Sequence, residues 1–397
     1  MARSFDVVLF GATGFTGRLV AEYLRRHAPA GTRLALAGRN EARLKALGFD
    51  WPVVLADAGD PGSLAALAAQ TRVVCTTVGP YAKYGLPLVE ACARAGTHYC
   101  DLTGEPQFMR ASIDLAHQLA EASGARIVHT CGFDSIPSDL GVQHLAEALG
   151  PLKRATYTVV SLRGGTSGGT IASALTMMEA AGKDPALRRL LADPYSLSPR
   201  REAEPDLGPQ PDFFGPRYDD FVGQWVTPFF MASVNTRVVR RSNALLGHAW
   251  GRALRYEEVW GMKTGAAGFL RAGAVASGLG AFFGALAFSP TRALLTPLLP
   301  KPGEGPDEAA RDSGRMRVRV YGESETGARA AVLVTGEGDP GYKLTAVMLG
   351  QSALCLAHDE PQLPRVAGVL TPATAMGAVL RARLVASGMG FTVERGP

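Results

Sequence analysis

Along the first 150 residues, short continuous apolar runs alternate with longer stretches whose apolar positions recur every three or four residues. Val7-Val8-Leu9-Phe10 is the first run; residues 34–37, 52–56, 73–78, 97–102 and 126–130 follow. Apolar runs without polar alternation suit strands covered on both faces, as in a parallel sheet. Between them, Leu19, Val20, Tyr23 and Leu24 keep helical spacing, as do residues 88–95, 113–123 and 139–149. This order predicts an α/β fold: a doubly wound parallel sheet of the Rossmann type over residues 1–150. After Pro151 the alternation breaks. Residues 155–162 read as a strand, 171–181 as a helix, and 193–216 as an extended loop rich in Pro, Gly and charge. Strands over 315–321 and 329–336 flank a turn at 322–327, and helices are expected over 344–357 and 373–386. At 397 residues the chain is long for one core. Residues 151–397 are therefore expected to form a second, α+β domain.

The turn after the first run is Gly11-Ala12-Thr13-Gly14-Phe15-Thr16-Gly17. Strand, glycine turn, helix is the setting a dinucleotide fingerprint needs, here spaced G-x-x-G-x-x-G. Gly11 allows the tight turn, Gly14 leaves room for a pyrophosphate, and Gly17 lets helix and strand pack closely. Thr13, Phe15 and Thr16 complete the candidate phosphate turn, whose helix start offers free N–H groups. A strand–helix turn that merely needs glycines is the alternative. The second run ends at Gly38-Arg39-Asn40, where a ribose-binding acid would mark NAD. Arg39 stands there instead, with Asn40 beside it, and a guanidinium can pair with a 2′-phosphate. NADP(H) is the expected cofactor, unless Arg39 is only a solvated helix-start residue. Asp57 ends the third run, either to accept an adenine amino group or simply to close a strand before the helix capped at 60–63. Thr77 and Gly79, after the fourth run, are expected at the same crevice.

A second polar turn, Cys131-Gly132-Phe133-Asp134-Ser135-Ile136-Pro137-Ser138-Asp139, follows the run at 126–130. Capping of the next helix explains one of its polar residues but not the gathering of Asp134, Ser135 and Ser138. Gly164-Gly165-Thr166-Ser167-Gly168-Gly169-Thr170 reads as a flexible loop, more suited to lie under a substrate than to cradle a second phosphate.

Composition is that of a globular protein, 47% hydrophobic and 19% charged. The net charge is +5 and the basic residues are scattered, which argues against nucleic acid and fits an anionic cofactor or membrane surface. Five cysteines show neither a C-x-x-C nor a metal-ligand spacing, so reduced thiols, no metal and a cytoplasmic setting without a targeting peptide are expected. Residues 272–288 carry no charge over 17 positions. On a helix, Val275, Leu279, Phe282, Phe283 and Leu286 share one side. This apolar segment, 268–290 with its flanks, can be a buried helix, the lining of an apolar tunnel, a peripheral helix at the inner face of a membrane, or a span.

These residues resemble the saccharopine dehydrogenase-like oxidoreductases, and most of all their trans-acting enoyl reductase branch. The resemblance rests on the glycine turn, Ala37-Gly38-Arg39-Asn40, Val78-Gly79-Pro80-Tyr81, residues 101–105, 132–141 and 164–170, Gly338-Asp339-Pro340-Gly341-Tyr342, and Leu370-Thr371-Pro372-Ala373. It implies an NADP-binding Rossmann domain, a catalytic or dimerisation-type second domain that leaves a homodimer open, and reduction of a carbon–carbon double bond in an apolar lipid or polyketide. Such chemistry needs a hydrogen-bond donor near the developing enolate and a proton for the neighbouring carbon. Tyr81 is the first candidate donor, with Asp134 and Ser135 as alternatives. No Tyr-x-x-x-Lys occurs in the chain. A saccharopine dehydrogenase-like C–N oxidoreductase and a non-catalytic NADP-binding sensor are the competing readings.

Overall fold

The computed structural model describes residues 3–164, 168–212, 215–287, 289–295 and 305–395. The first six apolar runs become β1 (Phe5–Phe10), β2 (Leu34–Gly38), β3 (Val53–Leu55), β4 (Thr71–Thr76), β5 (His98–Cys100) and β6 (Arg126–Val128). The next strands are β7 (Leu152–Arg163), β8 (Arg217–Asp219), β9 (Gln224–Pro228), β10 (Arg255–Gly261), β11 (Arg315–Ser324) and β12 (Arg329–Glu337). The last are β13 (Gly368–Leu370) and β14 (Gly390–Arg395).

One sheet is parallel throughout, in the order β13-β6-β5-β4-β1-β2-β3. Val7, Val8 and Leu9 of β1 are at most 1% exposed, which explains why that run lacks polar alternation. Chain direction across the sheet reverses between β1 and β4. The crevice beyond their carboxyl ends is where an open α/β sheet takes its ligand.

The second sheet is mixed, in the order β14-β12-β11-β7-β10-β9-β8. β7 and β10 run parallel, and the other pairs are antiparallel. The β11–β12 hairpin forms as its alternating pattern predicts, with longer strands and a turn limited to 325–328. The Ile136–Leu149 helix joins the two sheets. A Cβ on its Gly141 would stand 3.0 Å from Val320, and one on Gly322 only 2.4 Å from Leu145. The apolar core is accordingly continuous, from Val7 and Leu9 to Met316, Val318 and Val334.

The chain then returns to the first sheet. The Thr345–His358 helix packs on the Phe15–His27 helix and on β4, and β13 adds the seventh parallel strand. Packing thus places the Thr345–His358 helix and β13 with the nucleotide-type sheet, although sequence alternation ends at 150, while β14 returns to the second sheet. Between 217 and 261, three short strands and the Ala232–Leu245 helix form where no periodic pattern announced them. That helix buries Arg237, Arg240 and Arg241, residue types that ordinarily mark a solvated face.

The described residues of 193–216 are largely irregular, with a 3₁₀ turn at Arg201–Ala203, and residues 213 and 214 lie outside the described residues. Of the glycine loop at 164–170, Gly165, Thr166 and Ser167 lie outside the described residues, and Gly168–Lys183 is helical. The apolar segment forms the Gly265–Ala287 helix, with Phe288 outside the described residues. It is not a core helix: 11% of its most apolar 18 residues are buried.

Candidate functional site

The glycine turn closes the end of β1 tightly. Gly11 has φ +100°, and a Cβ there would lie 2.8 Å from Val78. At Gly17 a Cβ would come within 2.2 Å of the Gly11 carbonyl oxygen, so no side chain fits. Gly14 is different: it is exposed, and its nearest neighbour would be 3.4 Å from an added Cβ. A side chain there would fill the crevice rather than collide with protein. Thr77 Oγ1 donates to the Gly11 carbonyl at 3.2 Å, pinning the end of β4 to the turn. The Phe15–His27 helix begins without a side-chain cap and without an acid in its first turn. Its free N–H groups and positive dipole end suit a pyrophosphate. Thr13 is exposed and Thr16 half-buried on this rim. The Phe15 ring turns away to meet Tyr342 edge-on at 4.9 Å, with the Arg311 guanidinium 5.5 Å above it. Phe15 therefore offers the crevice its backbone N–H.

At the end of β2, Arg39 is exposed and makes no ion pair among the described residues. Asn40 Oδ1 accepts the Arg43 N–H at 3.0 Å and caps the Glu41–Lys45 helix. Asp57 is exposed, and its Oδ1 accepts the Gly59 N–H at 2.8 Å. The expected cap of the following helix is Asp60, bonded to the Gly62 N–H. Of this trio, Arg39 alone is uncommitted.

Gly79 and the cis-linked Pro80 lead into the Tyr81–Tyr84 turn of helix. The Tyr81 hydroxyl donates to the Thr76 carbonyl and accepts the Leu102 N–H, both at 3.3 Å. Burial, with the Asp101 charge adding to it, raises this phenol well above its usual range. The hydroxyl is thus bonded within the protein, between the end of β4 and the loop after β5. Glu105 holds this turn. Its buried carboxylate accepts the N–H groups of Tyr81 (3.0 Å) and Ala82 (2.8 Å) and the hydroxyl of Ser173 (2.8 Å). One side chain thus ties the crevice edge to a helix of the second half. Asp101, fully buried, accepts from Tyr99, Thr103 and Thr130 and lies 2.8 Å from His129 Nδ1.

Asp134 sits between two glycines. A Cβ on Gly132 would be 2.8 Å from its Oδ2, and one on Gly104 would be 3.9 Å from its Oδ1. Burial, helped by the Asp101 charge, pushes its carboxyl up to about 7. The side chain remains half-buried, and among the described residues it bonds only its own backbone N–H. The neighbouring Ser135 is fully buried and points inward. It donates to Asn235 Oδ1 at 3.0 Å, Asn235 donates to Glu258 at 2.9 Å, and Tyr256 donates to the same carboxyl at 2.6 Å. Burial pushes Glu258 up to about 7 as well. Ser135 is thus one link of this internal chain. The sheet's carboxyl edge brings together the glycine turn, Thr77, Gly79 and Asp134. Glu105 had been visible only as part of a polar turn, and nothing in the sequence pointed to Asn235 or Glu258.

A family model, the saccharopine dehydrogenase NADP binding domain, matches residues 7–128. A Mycobacterium tuberculosis protein named "putative trans-acting enoyl reductase" is 50% identical, over 99% of this chain and 98% of its own length. The "trans-acting enoyl reductase" of Mycobacterium ulcerans is 45% identical over the same shares. Among solved structures, the saccharopine dehydrogenase (L-Glu forming) of Saccharomyces cerevisiae has a TM-score of 0.56 at 13% identity. The match covers 98% of this chain and 99% of that one, a likeness of fold alone. With an NADP-binding domain built on an uncapped glycine turn and end-to-end identity to two such relatives, the chain belongs to the trans-acting enoyl reductases of the saccharopine dehydrogenase-like oxidoreductases.

Proposed function

We propose that the protein is an NADPH-dependent enoyl reductase acting on an apolar lipid or polyketide-type chain. The observation that carries this reading is one sheet edge bearing both an uncapped dinucleotide turn and a near-neutral, half-buried carboxyl. NADPH, when bound, supplies the hydride. The glycine turn and the N–H groups at the helix start take the pyrophosphate, and Arg39 pairs with the 2′-phosphate. Asp134, with a carboxyl near 7, keeps a substantial protonated fraction at neutral pH and delivers that proton to the substrate carbon left electron-rich. Glu105 and Tyr81 keep the crevice wall in place.

A C–N oxidoreductase acting on an amino-acid adduct needs free basic groups for the substrate's carboxylates. The buried arginines of the Ala232–Leu245 helix are already engaged. Arg237 meets Asp212 and the Leu191 carbonyl, Arg240 the Tyr256 carbonyl, and Arg241 the carbonyls of Leu197 and Val369. That reading is therefore not favoured.

The test has two steps. NADPH and NADH binding are compared by fluorescence, with Arg39→Glu alongside. The wild type should prefer NADPH, and the variant should lose roughly 1.5–3 kcal/mol of that preference. NADPH oxidation is then followed with long-chain enoyl thioesters. Tight NADPH binding with no turnover on any such thioester would favour the sensor reading.

A further inference from the structure

We propose that the Gly265–Ala287 helix, with the Ser289–Leu295 helix beside it, docks the protein flat on an anionic lipid surface. Residues 265–286 are long and apolar enough to cross a membrane, yet the helix lies on the outside of the fold. Phe269, Leu270, Phe282, Phe283 and Leu294 are all exposed, Leu270 at 68% and Leu294 at 75%. Large apolar side chains exposed in this number on one segment point to an interaction site.

Two features choose the occupant. The first is attachment along the length of the helix. Ala272 near one end and Leu286 near the other are both buried. The Thr227 hydroxyl donates to the Ala272 carbonyl at 3.1 Å, and Phe269 packs on Trp225 with ring centroids 4.9 Å apart. A helix pinned to β9 near its start and packed on the Gly168–Lys183 and Ser289–Leu295 helices cannot stand upright through a bilayer without losing those contacts. It can lie in the headgroup region with its exposed residues, Leu270 foremost, reaching the lipid. The second feature is charge. Between Glu258 and Glu304 the chain has no Asp or Glu, and its charged residues are Lys263, Arg271, Arg292 and Lys301. The segment's own charges are all basic, and although Glu179 of the neighbouring Gly168–Lys183 helix senses Arg292, a basic apolar segment complements anionic lipid better than a second copy of itself.

The surface also connects to the crevice. The Gly168–Lys183 helix touches the apolar helix, and its Ser173 bonds Glu105 at the crevice edge. A docked enzyme could then receive an apolar chain without passing it through water. This last link rests on the proposed function, whereas docking itself does not.

Flotation of the full-length protein with vesicles of phosphatidylglycerol and phosphatidylcholine tests docking without any turnover assay. The wild type should float with the mixed vesicles and much less with phosphatidylcholine alone. Each basic residue near an anionic surface contributes roughly fivefold, so Arg271→Glu should lower partitioning by an order of magnitude or more. Phe282→Asp should abolish flotation while NADPH binding and melting temperature hold. If that variant fails to fold, Arg271→Glu carries the test. Wild-type protein that stays at the bottom of the gradient, or floats equally with neutral vesicles, overturns the proposal. So does light scattering that shows a dimer broken by Phe282→Asp, because a second copy then covers the helix.

Discussion

The sequence ranks Tyr81 first as proton donor, with Asp134 as an alternative. Both follow strands at the crevice edge, and both can donate a proton. The difference lies in what each atom touches. Asp134 is half-buried with a carboxyl near 7 and bonds only its own backbone among the described residues, whereas the Tyr81 hydroxyl is bonded to the rest of the protein. An acid must be protonated to act, so kcat/KM should fall as pH rises through about 7. Asp134→Asn should lower kcat by roughly 10²–10⁴-fold and flatten that limb of the profile. Tyr81→Phe should keep turnover and cost about 0.5–1.5 kcal/mol of stability, read as a lower melting temperature. Loss of turnover in Tyr81→Phe with unchanged Asp134→Asn kinetics would reverse the two roles. Gly17→Ala acts by shape alone. Its Cβ would sit 2.2 Å from the Gly11 carbonyl, so the turn must move. Destabilisation of roughly 1–3 kcal/mol is expected, with weakened NADPH binding by titration.

At the scale of elements, the Ala232–Leu245 helix and β10 organise the space behind the crevice. Arg237, Arg240 and Arg241 are spaced to reach the chain at 191–212 and β13, so a helix that reads as basic and solvated acts as an internal clamp. Arg241 has no carboxylate partner among its bonds, and burial lowers its guanidinium to about 9. From the same helix, Asn235 connects Ser135 to Glu258 of β10. Burial raises Glu258 to about 7, and Asp139, held by Ser242 and the Ala373 N–H, to about 7 too. Their folded pKa values exceed the unfolded ones, so the folded state binds more protons between about pH 4 and 7. Their contribution to stability is present below that window and is lost as pH rises through it. Glu258→Gln removes the ionisation and keeps an acceptor for Tyr256, while a flip of the Asn235 amide restores the remaining bonds. The variant should gain up to roughly 3 kcal/mol over wild type at pH 8 and little at pH 4, measured by denaturant unfolding at both.

For the whole molecule, the decisive feature is the return of the chain to its first sheet. Met348, Leu349, Leu354 and Cys355 of the Thr345–His358 helix are completely buried. Removing that helix and β13 would expose apolar surface on one face of the sheet and open its β6 edge to solvent. A fragment of residues 1–150 should therefore lack a cooperative melting transition. Linking residues 340–387 to it should restore one, along with NADPH binding. A fragment 1–150 that melts cooperatively by itself would show that the first sheet folds without its late strand.

The amino-acid sequence by itself determined the elements whose physics is local or repeats along the chain. Buried parallel strands need continuous apolar runs, so the six early strands were legible. A turn that meets phosphate needs glycines and a helix start, so residues 11–17 were legible as well. A hairpin alternates with period two, which marked β11 and β12. Tertiary structure alone decided what depends on neighbours distant in the chain. The burial of three arginines, the late strand β13, and the Ser135–Asn235–Glu258 link all join residues about 100 or more positions apart or supply partners no local pattern encodes. The apolar run at 272–288 shows the limit most directly: its composition fits core, tunnel and membrane surface equally. Only its position, with 11% of its most apolar 18 residues buried, sets it apart from a core helix.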